Sequence, residues 1–318
     1  MAKDLALAEA KDKNFVFSPF SIQLALSLVA NGAKGATLKQ FLTFLEADNV
    51  DQLNAVATNF LKSLITKTGG PTLSFVGGVW VDKSLPLNPK FKAIAENAYN
   101  AIAADNVDFQ NKMKAKEVVD EMNTRVEKDS NGLINSILDE DDLNADTRLL
   151  LVNTLYFKTS WRKPFDRSCT HDLTFYLLDG SCVEVPFMSS IKTQFISTFD
   201  DYKVLRLPYQ NRRHTDSSAP SMYIILPHER DGLSSLADRI LKPDEWLQIS
   251  KVQHKSFIEV NEEGTEAGAS IRFDYPLGGF IEPPHQVDFV ADHPFMFIIR
   301  DDSSGMILFM GQVSNPLL

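Results

Sequence analysis

Residues Glu259–Leu277, reading EVNEEGTEAGASIRFDYPL, carry features that a permanently fixed strand has no reason to combine. From Thr265 onward the side chains alternate, with Thr265, Ala267, Ala269, Ile271, Phe273 and Tyr275 on one face and Glu266, Gly268, Ser270, Arg272 and Asp274 on the other. The small residues at its start could slide between packed strands, and Gly264 lets the backbone bend ahead of them. Pro276, Gly278 and Gly279, at its far end, would break a strand in mid-sheet. The chemistry on offer is therefore main-chain hydrogen bonding by a strand that joins a sheet late. By itself the pattern reads equally well as a surface loop with accidental alternation.

Bond-making chemistry finds no support. The chain has no G-x-S-x-G elbow, no phosphate-binding glycine loop and no H-E-x-x-H, and its six histidines are scattered. Cys169 and Cys182 match no metal-site spacing and cannot build a disulfide framework, so both read as reduced thiols. An enzyme is not expected, nor is any cofactor or metal. The formal charge of -10 has the wrong sign for holding nucleic acid or an anionic membrane surface. No segment approaches a membrane span, and the first residues lack a signal-peptide core, so the expected location is cytosolic; a missing N-terminal exon would erase a secretion signal equally well.

The elements around the alternating stretch fall in two groups. Ser18-Pro19 predicts a helix start, followed by Ile22, Leu24, Leu26, Leu28 and Val29 until Asn31-Gly32; an apolar run on all sides belongs inside the protein. Further helices are predicted over Thr37–Leu45, Gln52–Ile65, Pro89–Ala103 and Lys114–Lys128, the last stopped by Asn131-Gly132. Leu73–Val81 and Leu149–Phe157 read as strands covered on both faces, which implies a central sheet. Short strands follow around the turn Leu178–Ser181, then over Lys203–Pro208, Ser221–Pro227, Phe295–Arg300 and Met306–Gln312. Helices first and strands later indicate an α+β protein, and the absence of repeats or linkers favours one domain over residues 1–318.

At this point the sequence resembles the serpins, and among them the plant, serpin-Z-like type. Asn14–Ser21 (NFVFSPFS) resembles the start of the family's buried second helix, and Leu151–Asp166 (LVNTLYFKTSWRKPFD) its third central strand. His254–Ala267 (HKSFIEVNEEGTEA) is similar to the fifth central strand and loop hinge, and Asp288–Phe295 with Gly311-Gln312-Val313 to the C-terminal strands. Asn131–Ile134 keeps the intervening turn only in part.

The resemblance implies a monomeric suicide inhibitor of serine, sometimes cysteine, proteases, in which a cleaved loop inserts into the central sheet. It assigns the loop to about 262–287 and the hinge to Glu262, Glu263, Gly264, Thr265, Glu266, Ala267, Gly268, Ala269 and Ser270. It sets the reactive bond at Gly278–Gly279, where a glycine gives a protease's primary pocket no side chain to fill; trypsin-like targets are disfavoured. Ser18, Ser21, Asn153 and His254 would form a polar cluster beneath the sheet, and Trp161 would stand where the loop enters.

One departure matters. Between Ser250 and Lys251 the family's next strand and helix are missing, roughly fifty residues or more. That loss would expose an edge beside His254–Glu263 and remove the basic partner the family gives Glu262. A relaxed sheet could not drive insertion, so the competing expectation is a non-inhibitory protein of serpin fold.

Overall fold

The computed structural model describes residues 13–65, 72–129, 132, 135–139, 143, 147–190, 192–210, 220–240, 260–265 and 288–318. They gather into two compact units, one formed by the described residues within 17–157, the other by those within 13–16, 158–240, 260–265 and 288–318.

In the Phe17–Phe157 unit, helix α1 (Pro19–Gly32) starts as the sequence predicts: the Ser18 hydroxyl accepts the Ser21 amide at 3.0 Å, and Pro19 occupies the first turn, where its missing N–H costs nothing. Phe20, Ile22, Leu24, Leu26 and Leu28 are all buried, so the helix has no solvent face. Helices α2 (Gly35–Phe44) and α3 (Val50–Ile65) follow, then strand β2 (Thr72–Asp82).

Helix α4 runs over Pro89–Tyr99, four residues short of the predicted end at Ala103. Asn100 takes the left-handed conformation at φ 49° and donates its amide to the Ala95 carbonyl, closing the helix. Strand β3 (Ala101–Val107) therefore begins where a helix is predicted, and it pairs in parallel with β2 from Gly77↔Ala101 to Asp82↔Val107. Helix α5 (Lys112–Asp129) ends at a turn in which Gly132, at φ +82°, returns its amide to the Glu127 carbonyl at 2.7 Å. Strand β4 (Leu149–Ser160) lies beside β2. Trp80, Phe109, Val119, Met122, Leu138 and Val152 form the core between α5 and this sheet.

The other unit holds a six-stranded sheet in the order β1-β12-β11-β9-β8-β7. These strands are β1 (Phe15–Phe17), β7 (Phe195–Thr198), β8 (Tyr202–Pro208), β9 (Pro220–Pro227), β11 (Phe295–Asp301) and β12 (Ile307–Val313). Gly311 on β12 admits no side chain, since a Cβ there would lie 2.1 Å from the Phe15 carbonyl oxygen. Asn14 fastens the same region: its Oδ1 accepts the amides of Ser314 and Asn315 at 2.8 and 3.0 Å, and its Nδ2 donates to the Asn315 carbonyl at 2.7 Å.

Strands β5 (His171–Tyr176) and β6 (Cys182–Phe187) form a separate hairpin around the predicted turn, with Gly180 at φ +83° and Asp179 accepting from the Ser181 amide. Helix α6 covers Leu233–Ile240, and β10 is the two-residue strand Gly264–Thr265.

Candidate functional site

The chain leaves β4 through Trp161, and the ten residues from there to Thr170 hold the start of the hinge, Glu262 and Glu263. Trp161 is buried and stacks on Tyr209 with ring centroids 4.6 Å apart and planes 8° from parallel. Phe165 meets its edge at 6.5 Å. This fixed indole turns its Nε1–H to the Asn261 carbonyl at 2.8 Å, while the Trp161 amide donates to the Glu263 carbonyl at 2.9 Å and the Phe165 amide to the Glu262 carbonyl at 2.8 Å. Three successive carbonyls, that of Asn261 and those of the first two hinge residues, are thus satisfied by one short segment. Asn261 adds a local turn, its Oδ1 accepting the Glu263 amide at 3.0 Å.

Both carboxylates in the described part of the hinge have partners. Glu262 accepts the Thr170 hydroxyl at 2.8 Å. Hydrogen bonding to its own backbone amide, then to Thr170, with a smaller contribution from the Arg167 charge, holds its carboxyl below the ordinary value against the opposing effect of burial. Glu263 pairs with Arg167 at 3.0 Å; the guanidinium is 70% exposed, so this ion pair is weak. The sequence leaves Glu262 without its basic neighbour from the missing strand. Its partner among the described residues is the Thr170 hydroxyl, on the chain after β4, and the charge of Arg167 acts on it from the same segment.

Beyond the two glutamates the backbone turns over. Gly264 pairs with Ser160 and Thr265 with Thr159, antiparallel to the end of β4.

The second predicted group is assembled in the Phe17–Phe157 unit. Ser21 Oγ donates to Asn153 Oδ1 at 2.8 Å, Asn153 Nδ2 donates to the Ser21 carbonyl at 2.5 Å, and Ser18 caps the same turn. Ser18, Ser21 and Asn153 are all buried, so this side-chain pairing is obligatory for burial. His254, the fourth predicted member, lies outside the described residues, as do Glu266, Ala267, Gly268, Ala269 and Ser270 of the hinge and the predicted reactive bond at Gly278 and Gly279. Trp161 stands beside the described part of the hinge. Thr170, Arg167, Asn261 and Tyr209 were not singled out from the sequence; two adjacent acids at 262 and 263 were the one signal that partners had to exist.

The family described as Serpin (serine protease inhibitor) matches residues 1–249 and again 239–316, so the chain belongs to the serpins. Its relatives are of the plant type. Serpin-ZX of Arabidopsis thaliana is 36% identical over 379 aligned positions, covering 100% of this chain and 96% of that protein. Serpin-ZX of Hordeum vulgare is 39% identical over 375 positions, covering 98% and 92%. Among solved structures, Arabidopsis AtSerpin1 in its native stressed conformation is 34% identical with a TM-score of 0.85, covering 100% of this chain and 95% of that one. With 318 residues against alignments of that length, the chain is shorter than its relatives, and the two family matches meet at 239–249, next to the Ser250–Lys251 junction.

Proposed function

We propose that the chain inhibits serine proteases, and cysteine proteases of matching specificity, by suicide insertion: after cleavage at Gly278–Gly279, residues 266–275 add to β4 as a new antiparallel strand. The observation that carries this reading is the pairing of Gly264 and Thr265 with Ser160 and Thr159, which already forms the first rungs of such a strand. Continued along the chain, that register sets Ala267 opposite Phe157, Ala269 opposite Leu155, Ile271 opposite Asn153 and Tyr275 opposite Leu149. Phe157, Leu155 and Asn153 are buried, which matches the small and apolar face of the loop. On the opposite face Glu266 falls across from Lys158, a complementary pair. Pro276 comes just past the first residue of β4, where a strand breaker does no harm.

A second reading, a serpin fold that binds without inhibiting, is favoured by the shortness of the chain against its relatives and by Gly278. The free thiols of Cys169 and Cys182 suit a reducing compartment under either reading.

The test is incubation of the purified protein with trypsin-, chymotrypsin-, elastase- and papain-like proteases. A complex that survives denaturation is expected with at least one of them. Cleavage without any such complex would leave only the second reading.

A further inference from the structure

Arg167 and Thr170 stand at the two ends of one short turn. Arg167–Cys169 forms a 3-10 helix, and the Thr170 amide donates to the Arg167 carbonyl at 3.2 Å. Residues three apart lie over one another in such a turn, so both side chains leave it on the same side. There they meet adjacent acids. The Thr170 hydroxyl donates to Glu262 at 2.8 Å, Arg167 pairs with Glu263 at 3.0 Å, and the Arg167 charge also acts on Glu262.

An arginine three residues ahead of a hydroxyl is also what a protein kinase of basic specificity reads: an acidic subsite on the enzyme takes the guanidinium and so sets the hydroxyl at the transferred phosphate. The Arg167 guanidinium is 70% exposed, and its weak pairing with Glu263 is readily exchanged for an enzyme's carboxylate. Ser168 is the neighbouring hydroxyl, but Phe165 and not a cation stands three residues ahead of it, and Asp166 holds it at 2.7 Å.

We infer that Thr170 is a phosphorylation site, modified by a nucleoside triphosphate on a kinase of basic specificity, and that the phosphate unfastens Glu262 and Glu263 together. Thr170 Oγ1 bonds to the γ-phosphorus, the bond from that phosphorus to the nucleoside diphosphate breaks, and the hydroxyl proton passes to the kinase's base. The product carries about -1.5 to -2 charge near neutral pH. Glu262 then loses its donor and faces that charge, while the phosphate draws Arg167 from Glu263 through stronger, two-pronged hydrogen bonding. Only the main-chain carbonyl contacts to Trp161 and Phe165 remain of the bonds that this segment makes to residues 261–263. Because the Thr170 hydroxyl is half-buried and already donated while the clasp is closed, the kinase acts on the lifted hinge, and the phosphate keeps it from closing again. The device belongs to the clasp, so it stands whether or not the loop inhibits a protease.

The test incubates the full chain with an arginine-directed kinase and magnesium ATP, and locates the phosphate by peptide fragmentation in a mass spectrometer. One phosphate on Thr170 is expected, at a rate that falls about tenfold or more in Arg167→Ala. The rate should rise in Glu262→Ala, where the hydroxyl is released. Hydrogen exchange at the Trp161 and Phe165 amides, which donate to the hinge carbonyls, should quicken about tenfold in the phosphorylated chain. Thr170→Glu gives the same reading without a kinase, and its effect should exceed that of Thr170→Val, which removes the donor and adds no charge. The inference is overturned by no incorporation into the natural chain, by phosphate on Ser168 in place of Thr170, or by exchange at Trp161 and Phe165 that phosphorylation leaves unchanged. Equal exchange in Thr170→Glu and Thr170→Val would remove the part played by charge and overturn it equally.

Discussion

The indole N–H of Trp161 donates to the main-chain carbonyl of Asn261 at 2.8 Å, one hundred residues further along the chain. Because the ring is pinned on Tyr209, it cannot follow that carbonyl if the hinge moves; the hydrogen bond must break or hold. Trp161→Phe keeps the stacking and removes the donor. It should lower unfolding stability by about 1–3 kcal/mol, read from urea denaturation followed by circular dichroism. An unchanged midpoint would mean that the bond contributes nothing to holding the hinge.

Glu262 makes stability depend on acid. Its carboxyl is held below the ordinary 4.5 in the folded protein, first by its own backbone amide and then by Thr170. The folded state therefore binds this proton less readily than the unfolded chain. Its contribution is complete above pH 4.5 and disappears as the pH falls through the lowered folded value. Melting temperatures taken from about pH 6 down to about pH 3 should fall for the natural protein. Glu262→Gln should melt lower at neutral pH and show a shallower decline below 4.5.

The polar pair under the sheet offers a purely structural test. Asn153→Ala leaves the Ser21 hydroxyl and carbonyl without their partner in a buried place. A loss of about 1–3 kcal/mol is expected. Ser21→Ala with Asn153→Leu, which removes both polar groups, should recover part of that loss, measured by the same denaturant titration.

The register proposed for insertion separates neighbouring loop positions. Ala269 would face the buried side, opposite Leu155, and Ser270 the other. Ala269→Glu should convert an inhibitor into a substrate, with cleavage but no denaturation-resistant complex, because burying an unpaired carboxylate there opposes insertion. Ser270→Glu should retain the complex. Equal behaviour of the two variants would show that this register is wrong.

Local signals carried much of the architecture into the sequence. Ser18-Pro19 announces α1 because cap and proline act on adjacent backbone groups, and Asp179-Gly180 announces the β5–β6 turn for the same reason. The end of α4 was misread because Ala101 and Ile102 continue an acceptable helical pattern, while the left-handed Asn100 that stops it carries no signal except being asparagine. Trp161 and the hinge were legible through family motifs. Their fastening was not: Thr170 meets Glu262 across 92 residues of sequence, and nothing in Cys169-Thr170 marks that hydroxyl as a partner.

The clasp between Asn14 and Ser314 sets a timetable for biosynthesis. Strand β1 is paired with β12, and Asn14 meets Ser314 across 300 residues of sequence. The β1 segment must wait, without this partner, while the intervening residues are made. Closure of the six-stranded sheet is thus a late event, and the nascent chain depends on being shielded from its neighbours until then.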